Sequence, residues 1–307
     1  MRSSLTLALA SILFSCTGGP GAAVDSGSDR DAVGDGADAG GSTDGNGQPA
    51  CSFTTAAAQF ALADYGGHVG LSGAYQDRPN PQIMVEKERV GDCAFFSPAA
   101  SFCDPACIDG ICAVGGECVP YPQYLAAGTL TLTGTDPALV IEQQEGGYYY
   151  TTETYTTDLY RPGDELTLSG PGAGEVAPFE VAVHAVPSIE VSSEEFRAVE
   201  HQAMVITWDT AASSPDGSRV VVRMDVDHHA GLAHVECVTE DTGSVTVDSS
   251  VLDALIEAGV NGIGTYIESA YIVRVNRGAV ETSSGCVGFE SKSLVPLRVE
   301  TILASGN

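Results

Sequence analysis

Three histidines and two aspartates fall within the ten-residue stretch DVDHHAGLAH, and side chains of these types could hold a metal ion. The candidate ligands are Asp225, Asp227, His228, His229 and His234. Imidazole nitrogens and carboxylate oxygens are common ligands of zinc and similar ions. Asp225 and Asp227 share one face of a predicted strand, and Glu236 would lie across a hairpin from them. The alternative is a polar strand end whose histidines only make hydrogen bonds.

A second group that could do chemistry is aromatic and lies in GGYYYTTETYTTDLY. Exposed tyrosine rings beside hydroxyl groups can bind sugars or peptides. Tyrosine and threonine are also favoured in strands, so the same residues can be core or sheet surface. The candidate ligand-binding residues are Tyr148, Tyr149, Tyr150, Tyr155 and Tyr160.

Catalytic signatures are missing from the sequence. It contains no Gly-x-Ser-x-Gly elbow, Ser-x-x-Lys, His-Glu-x-x-His or phosphate-binding loop. We therefore expect a non-enzymatic protein without a cofactor. The alternative is a secreted-type hydrolase or a metal-dependent enzyme on a β-sandwich, which a cleft with convergent histidine and carboxylate groups would favour.

The N-terminus predicts export and lipidation. MRSSLTLALASILFSC has one basic residue, an apolar run and then Ser15-Cys16, which is typical of a secretory signal and too short to span a bilayer. Leu13 to Cys16 looks like a bacterial lipobox, although Phe14 departs from the usual small or β-branched residue. Cleavage before Cys16 and acylation of its thiol would give durable anchoring in the membrane. Ordinary secretion is the alternative.

Residues 17–50 are rich in glycine, aspartate and serine and have no aromatic residue. Such a segment cannot bury enough apolar area to fold, so we expect a disordered tether. The whole chain has 13 basic and 41 acidic residues, a formal net charge of −28. This charge argues against nucleic acid as a partner.

The number of cysteines supports the same interpretation. There are nine, and assigning Cys16 to the lipid leaves an even number, as a disulfide framework in an exported chain requires. Four lie in CDPACIDGICAVGGEC, where successive gaps of three, four and five residues are too compact for two zinc knuckles and include no redox Cys-x-x-Cys pair. The expected disulfide cysteines are Cys51, Cys93, Cys103, Cys107, Cys112, Cys118, Cys237 and Cys286.

Spacing alone does not fix how these cysteines pair, because six of them can already pair in many ways. Within the compact segment we expect Cys103–Cys112 and Cys107–Cys118. The remaining cysteines are expected to form Cys51–Cys93 and Cys237–Cys286, the latter across a sandwich. The compact segment is thereby interpreted as scaffold rather than as a binding site.

The pattern in the rest of the chain predicts strands of five to eight residues, separated by turns rich in Gly, Pro, Asp and Ser. Strands are predicted at or near 129–133, 165–168, 179–184, 203–208, 219–227, 234–238, 244–247, 271–276 and 294–300. One helix is predicted in DSSVLDALIEAG, with Ser250 as its cap and Gly259 as its end. These patterns predict a mainly β, antiparallel sandwich, Ig-like or related, with one short helix and a small disulfide-rich insert.

Two blocks carry a resemblance to a known group. The first is GDCAFF…CDPACIDGICAVGGECVPYPQYLAAGTLTLTG, and the second is HHAGLAHVECVTEDTGSVTVDSSVLDALIEAGVNGIGTY. Both resemble uncharacterised lipoproteins of myxobacteria and related bacteria, in which a compact Cys-rich segment leads directly into a strand. The resemblance implies a surface lipoprotein with a β-rich ectodomain, and it assigns no catalytic residue.

The sequence thus predicts a signal peptide at 1–15, a lipidated cysteine and tether at 16–50, a β segment with the Cys-rich module at 51–122, and a sandwich domain at 123–307. We expect a lipid-anchored protein of the bacterial envelope, in the outer membrane or at the cell surface. Its partners would be the membrane, through the N-terminal lipid, and a protein or glycan ligand.

Overall fold

The computed structural model describes residues 51–99, 103, 105–193, 195–228, 231–260, 266–267 and 269–303. The expected signal peptide, Cys16 and the tether lie outside the described residues. The described chain is mainly β with a single α-helix, which confirms the predicted class.

The strands, in chain order, are β1 (Ala58–Asp64), β2 (Val69–Tyr75), β3 (Met84–Val90), β4 (Cys93–Pro98), β5 (Gly110–Cys112), β6 (Cys118–Pro120), β7 (Leu130–Thr133), β8 (Leu139–Ile141), β9 (Tyr148–Tyr150), β10 (Glu165–Gly170), β11 (Phe179–His184), β12 (Glu195–Val199), β13 (Met204–Thr207), β14 (Arg219–His228), β15 (Gly231–Thr239), β16 (Ser244–Val247), β17 (Tyr266–Ile267), β18 (Ser269–Thr282), β19 (Gly285–Pro296) and β20 (Arg298–Ile302). The helix α1 spans Ser249–Val260, and a 3₁₀ turn spans Thr157–Leu159.

The largest sheet has nine strands in the order β3-β4-β15-β14-β18-β19-β1-β2-β9. Most neighbouring strands in it are antiparallel, but β1 pairs with β19 in parallel, so the large sheet is mixed. A second parallel pair, β12 with β20, lies in a three-stranded sheet. Strands from both sides of the boundary expected at residue 122 share the large sheet, because β1 pairs with β19 and β4 pairs with β15. That boundary therefore does not separate two sheets.

Two apolar cores lie on one face of the large sheet. Alternate residues of β18 point to this face. Ile272 belongs to the core formed with α1, β13 and β16, and Val280 packs against the core formed with the four-stranded sheet β11-β10-β7-β8. Gly278 lies where β11 crosses β18, and a Cβ there would stand 2.4 Å from the carbonyl oxygen of Ala182. This close approach requires glycine.

A buried polar belt separates the two cores. Arg274, only 1% exposed, lies between Ile272 and Val280 on the same face of β18. Its Nε donates to Asp241 at 2.9 Å, and its Nη atoms donate to the backbone carbonyls of Ser188 and Asp209, both at 2.8 Å. Asp241 also accepts from the indole Nε1 of Trp208 at 2.8 Å. One guanidinium thus ties three connecting segments to the sheet.

The predicted helix forms, but its ends differ from the expectation. The side chain of Asp248 accepts the backbone N–H of Ser250 at 2.9 Å, so Asp248 provides the cap, while the hydroxyl of Ser250 donates to Glu88. Gly259 lies inside the helix, where a Cβ would stand 2.7 Å from Cγ1 of Val226. Close packing on β14, rather than helix termination, explains this glycine.

All eight cysteines of the described chain form disulfides. Cys103–Cys112 and Cys107–Cys118 close the compact insert, as predicted. The two long-range predictions are wrong, since the bonds are Cys51–Cys286 and Cys93–Cys237. The reason is strand order: β4 pairs with β15 in a register that places Cys93 opposite Cys237, and this leaves Cys51 beside β19.

Candidate functional site

The β14–β15 hairpin brings two of the predicted metal ligands together. Its register places Asp225 opposite His234 and Arg223 opposite Glu236, on the face of the large sheet away from the two cores. Glu236 lies across the hairpin, as the alternation predicted. Asp227 and His228 are described only as backbone of β14, and His229 lies outside the described residues.

Arg223 pairs with the acidic side chains of this cluster. Its Nε donates to both carboxylate oxygens of Asp225, at 3.0 and 3.1 Å, and its Nη2 donates at 2.9 Å. Its Nη1 lies 3.9 Å from the carboxylate of Glu236. Asp225 is therefore a partner of an arginine. The arginine stands two residues before Asp225 in the same strand, so the alternation already places both on one face.

His234 is held as a neutral ring. It is buried, and it stacks on Phe96 of β4 with ring centroids 4.7 Å apart and planes inclined by 15°. Burial and then the positive charge of Arg223 lower the pKa of His234 to about 3. Within the described residues, no three histidine, cysteine or acidic side chains are grouped so that they could hold a metal ion.

The lowered pKa of His234 predicts a loss of stability in mild acid. Between about pH 6.5 and 3 the unfolded chain protonates this histidine more readily than the folded chain, so stability falls as the pH drops through that window. We expect His234 to contribute about 1–2 kcal/mol of lost stability by pH 5. Chemical denaturation of the wild type and of His234→Phe, which keeps an aromatic ring against Phe96, measures the difference. Equal pH slopes for the two proteins would contradict this assignment.

The tyrosine candidates divide between core and surface. Tyr149 is fully buried, and its hydroxyl accepts the backbone N–H of Ala127 at 2.7 Å. Tyr160 is also buried, and burial raises its pKa. These two residues are core and do not belong to a binding surface.

Tyr148 and Tyr150 point to the opposite face of β9 from Tyr149 by alternation, and Tyr150 is 46% exposed. Tyr155 is half-buried beside β2.

A tyrosine outside the predicted group joins this surface. Tyr124, on the loop that leaves the disulfide-rich insert, packs against Tyr148 with ring centroids 4.6 Å apart and planes inclined by 50°, and the two hydroxyls are hydrogen-bonded. Burial and then the bond to Tyr148 raise the pKa of Tyr124 to about 12. Gly147 makes the contact feasible, because a Cβ there would stand 2.4 Å from Cβ of Tyr124. Sequence spacing carries no signal for this contact between distant segments.

A separate open cleft of about 300 Å³ lies where β11 crosses the large sheet. Glu165 and His184 face each other across β10 and β11 at its rim, and Asp216 stands on the facing turn. The cleft is lined by Glu165, Ala182, Val183, His184, Asp216, Gly217, Asn276 and Arg277.

Comparisons with known proteins add little to these observations. No protein-family model and no curated protein matches the chain. Among solved structures, the chain is similar to the FN1–FN3 domains of chicken CNTN1, at 11% identity and a TM-score of 0.21. The similarity covers 73% of this chain and 66% of that chain, just under two thirds of its length. A TM-score this low supports no inference, so the fold rests on the strand pairing described above. Separately, no helix in the described part of the chain is long and apolar enough to cross a membrane.

Proposed function

We propose that the chain is a bacterial surface lipoprotein, anchored through lipid on Cys16, whose β domain binds a protein or another envelope ligand without catalysing a reaction. The pairing of the cysteines carries the first half of this proposal. Every cysteine from Cys51 onward is in a disulfide, which is typical of an oxidising compartment. Cys16, the last residue of the lipobox-like sequence, is the one cysteine of the sequence left to accept a lipid.

The distribution of exposed apolar side chains supports the binding half. Large apolar residues are exposed in the disulfide-rich insert and its exit loop, at Ile108, Val114, Tyr121 and Tyr124. Exposed apolar clusters on a soluble domain commonly mark interaction sites. The two short-range disulfides restrict the conformations of this segment, which lowers the conformational entropy lost on binding. The insert is thus proposed as a binding element as well as scaffold.

Lipidation is tested by metabolic labelling in a bacterial host. We expect radiolabelled palmitate to enter the wild-type protein, and globomycin to block its maturation. The Cys16→Ser variant should carry no label, while the matched variant Ser15→Ala should keep it, since alanine preserves a small residue before the cleavage site. Label that persists in Cys16→Ser would refute anchoring through this cysteine.

A further inference from the structure

The exit loop of the insert connects its exposed apolar residues to the tyrosines of β9, because Tyr124 of this loop contacts Tyr148. In the hairpin β5–β6, Gly110 pairs with Pro120, so Ile108 and Tyr121 leave the same end of the hairpin. Ile108 is 85% exposed and Tyr121 is 53% exposed. Three residues after Tyr121, Tyr124 packs against Tyr148, which lies on the same face of β9 as Tyr150. We call these five residues the tyrosine surface.

The charge around the tyrosine surface is mainly negative, and the neighbouring Arg78 is paired with Asp77, which accepts the backbone N–H of Gln123. From residue 90 to residue 160 the sequence contains no lysine and no arginine. The described acidic residues of the insert and of the strands around β9 are all exposed: Asp109, Glu117, Asp136, Glu142, Glu145, Glu153 and Asp158. A surface of this kind attracts cations and repels anions at the range set by ionic screening.

The side chains of the surface specify the partner further. An exposed isoleucine packs more favourably against an apolar side chain than against the hydroxyl groups of a polysaccharide. Exposed tyrosine rings take both apolar side chains and the cationic groups of lysine and arginine over their faces. Tyrosine is also among the residues that contribute most to protein interfaces.

We propose that the tyrosine surface binds a basic protein segment in which lysine or arginine alternates with apolar residues. A second copy of this chain is disfavoured as the partner because its net charge of −28 would oppose contact, and anionic envelope polymers are disfavoured for the same reason. This inference rests on the proposed binding role and names the class of partner for it.

The test uses the full chain carrying Cys16→Ser, so that its outcome does not depend on lipid anchoring. The probe is a dodecapeptide of alternating lysine and leucine, titrated by calorimetry at two salt concentrations. We expect saturable binding that weakens at high salt, and a loss of about tenfold or more in affinity for Tyr121→Ala combined with Tyr150→Ala. Tyr124→Phe, which keeps the ring against Tyr148, should retain most of the affinity.

Matched controls make each outcome decisive. Tyr65→Ala removes a tyrosine of similar exposure from the β1–β2 turn and should leave binding unchanged. Equal midpoints of urea unfolding verify that the variants are folded. The proposal is overturned if an all-lysine peptide binds as tightly as the alternating one, since charge alone would then account for binding. It is equally overturned if neutral oligosaccharides, but not the peptide, bind with the same dependence on Tyr121 and Tyr150.

Discussion

Replacing Arg274 by methionine is expected to lower the free energy of unfolding by about 3–5 kcal/mol, because it leaves the buried carboxylate of Asp241 without its cation. Burial alone would raise the pKa of Asp241, but hydrogen bonds from Arg274, Ser214 and Trp208 outweigh it and lower that pKa. The donors around this largely buried acid therefore favour its ionised form in the folded chain. Loss of the Arg274 guanidinium should also release the segments at Ser188 and Asp209 from the sheet, because it donates to their backbone carbonyls.

Urea denaturation measures this effect, and the single tryptophan of the chain provides a local signal. The indole of Trp208 donates to Asp241, so its emission should shift in Arg274→Met and in Asp241→Asn before global unfolding begins. Arg197→Met is the matched control, since Arg197 makes a 3.5 Å ion pair with Glu300 at the surface and should change stability by less than about 1 kcal/mol. Equal losses for Arg274→Met and Arg197→Met would show that the buried belt is not a stabilising feature.

Removing the disulfide Cys51–Cys286 is expected to destabilise the domain far more than removing Cys103–Cys112. The first bond joins cysteines separated by 235 residues, and the second joins cysteines separated by 9. By loop-closure entropy the longer loop contributes about 3 kcal/mol more to stability. The first bond also fixes the segment before β1. In this segment the ring of Phe53 packs over Gly288, and its centroid lies 5.2 Å from the guanidinium of Arg277.

The comparison is made between two double variants, Cys51→Ser with Cys286→Ser and Cys103→Ser with Cys112→Ser, so that neither protein gains a free thiol. Midpoints of urea unfolding give the two losses. A larger loss of unfolding free energy from removing Cys103–Cys112 would contradict the expectation that Cys51–Cys286 stabilises the domain more. The short-range pair should instead affect binding at the tyrosine surface, because it shapes the insert.

Local patterns in the sequence predict much of the fold. The alternation in Phe179–His184 and in Ser244–Val247 gives β11 and β16 to the residue, because period two reports directly which side of a strand is buried. The two short-range disulfides match the expected pairs, although spacing alone does not fix that pairing. Strand order does not follow from such patterns, and the pairing of β1 with β19 and of β4 with β15 is what the long-range disulfide predictions lacked.

The same limit applies to the candidate sites. Asp225 and His234 meet because a hairpin register is a local property, and Arg223 was recoverable from the alternation of the same strand. Phe96, which stacks on His234, comes from a strand far away in the sequence. Tyr124 likewise reaches Tyr148 from a separate loop, so no spacing rule connects them. The alternation that exposes Tyr150 buries Tyr149, which separates the tyrosines into two roles.

The most direct test of the proposed lipoprotein is the intact mass of the mature chain after alkylation without reduction. We predict a chain that begins at Cys16, carries the mass of its acyl groups and takes up no alkyl group, and that takes up eight after reduction, one for each cysteine in the four disulfides. An unlipidated chain that keeps residues 1–15, or one that is alkylated before reduction, would contradict the proposal.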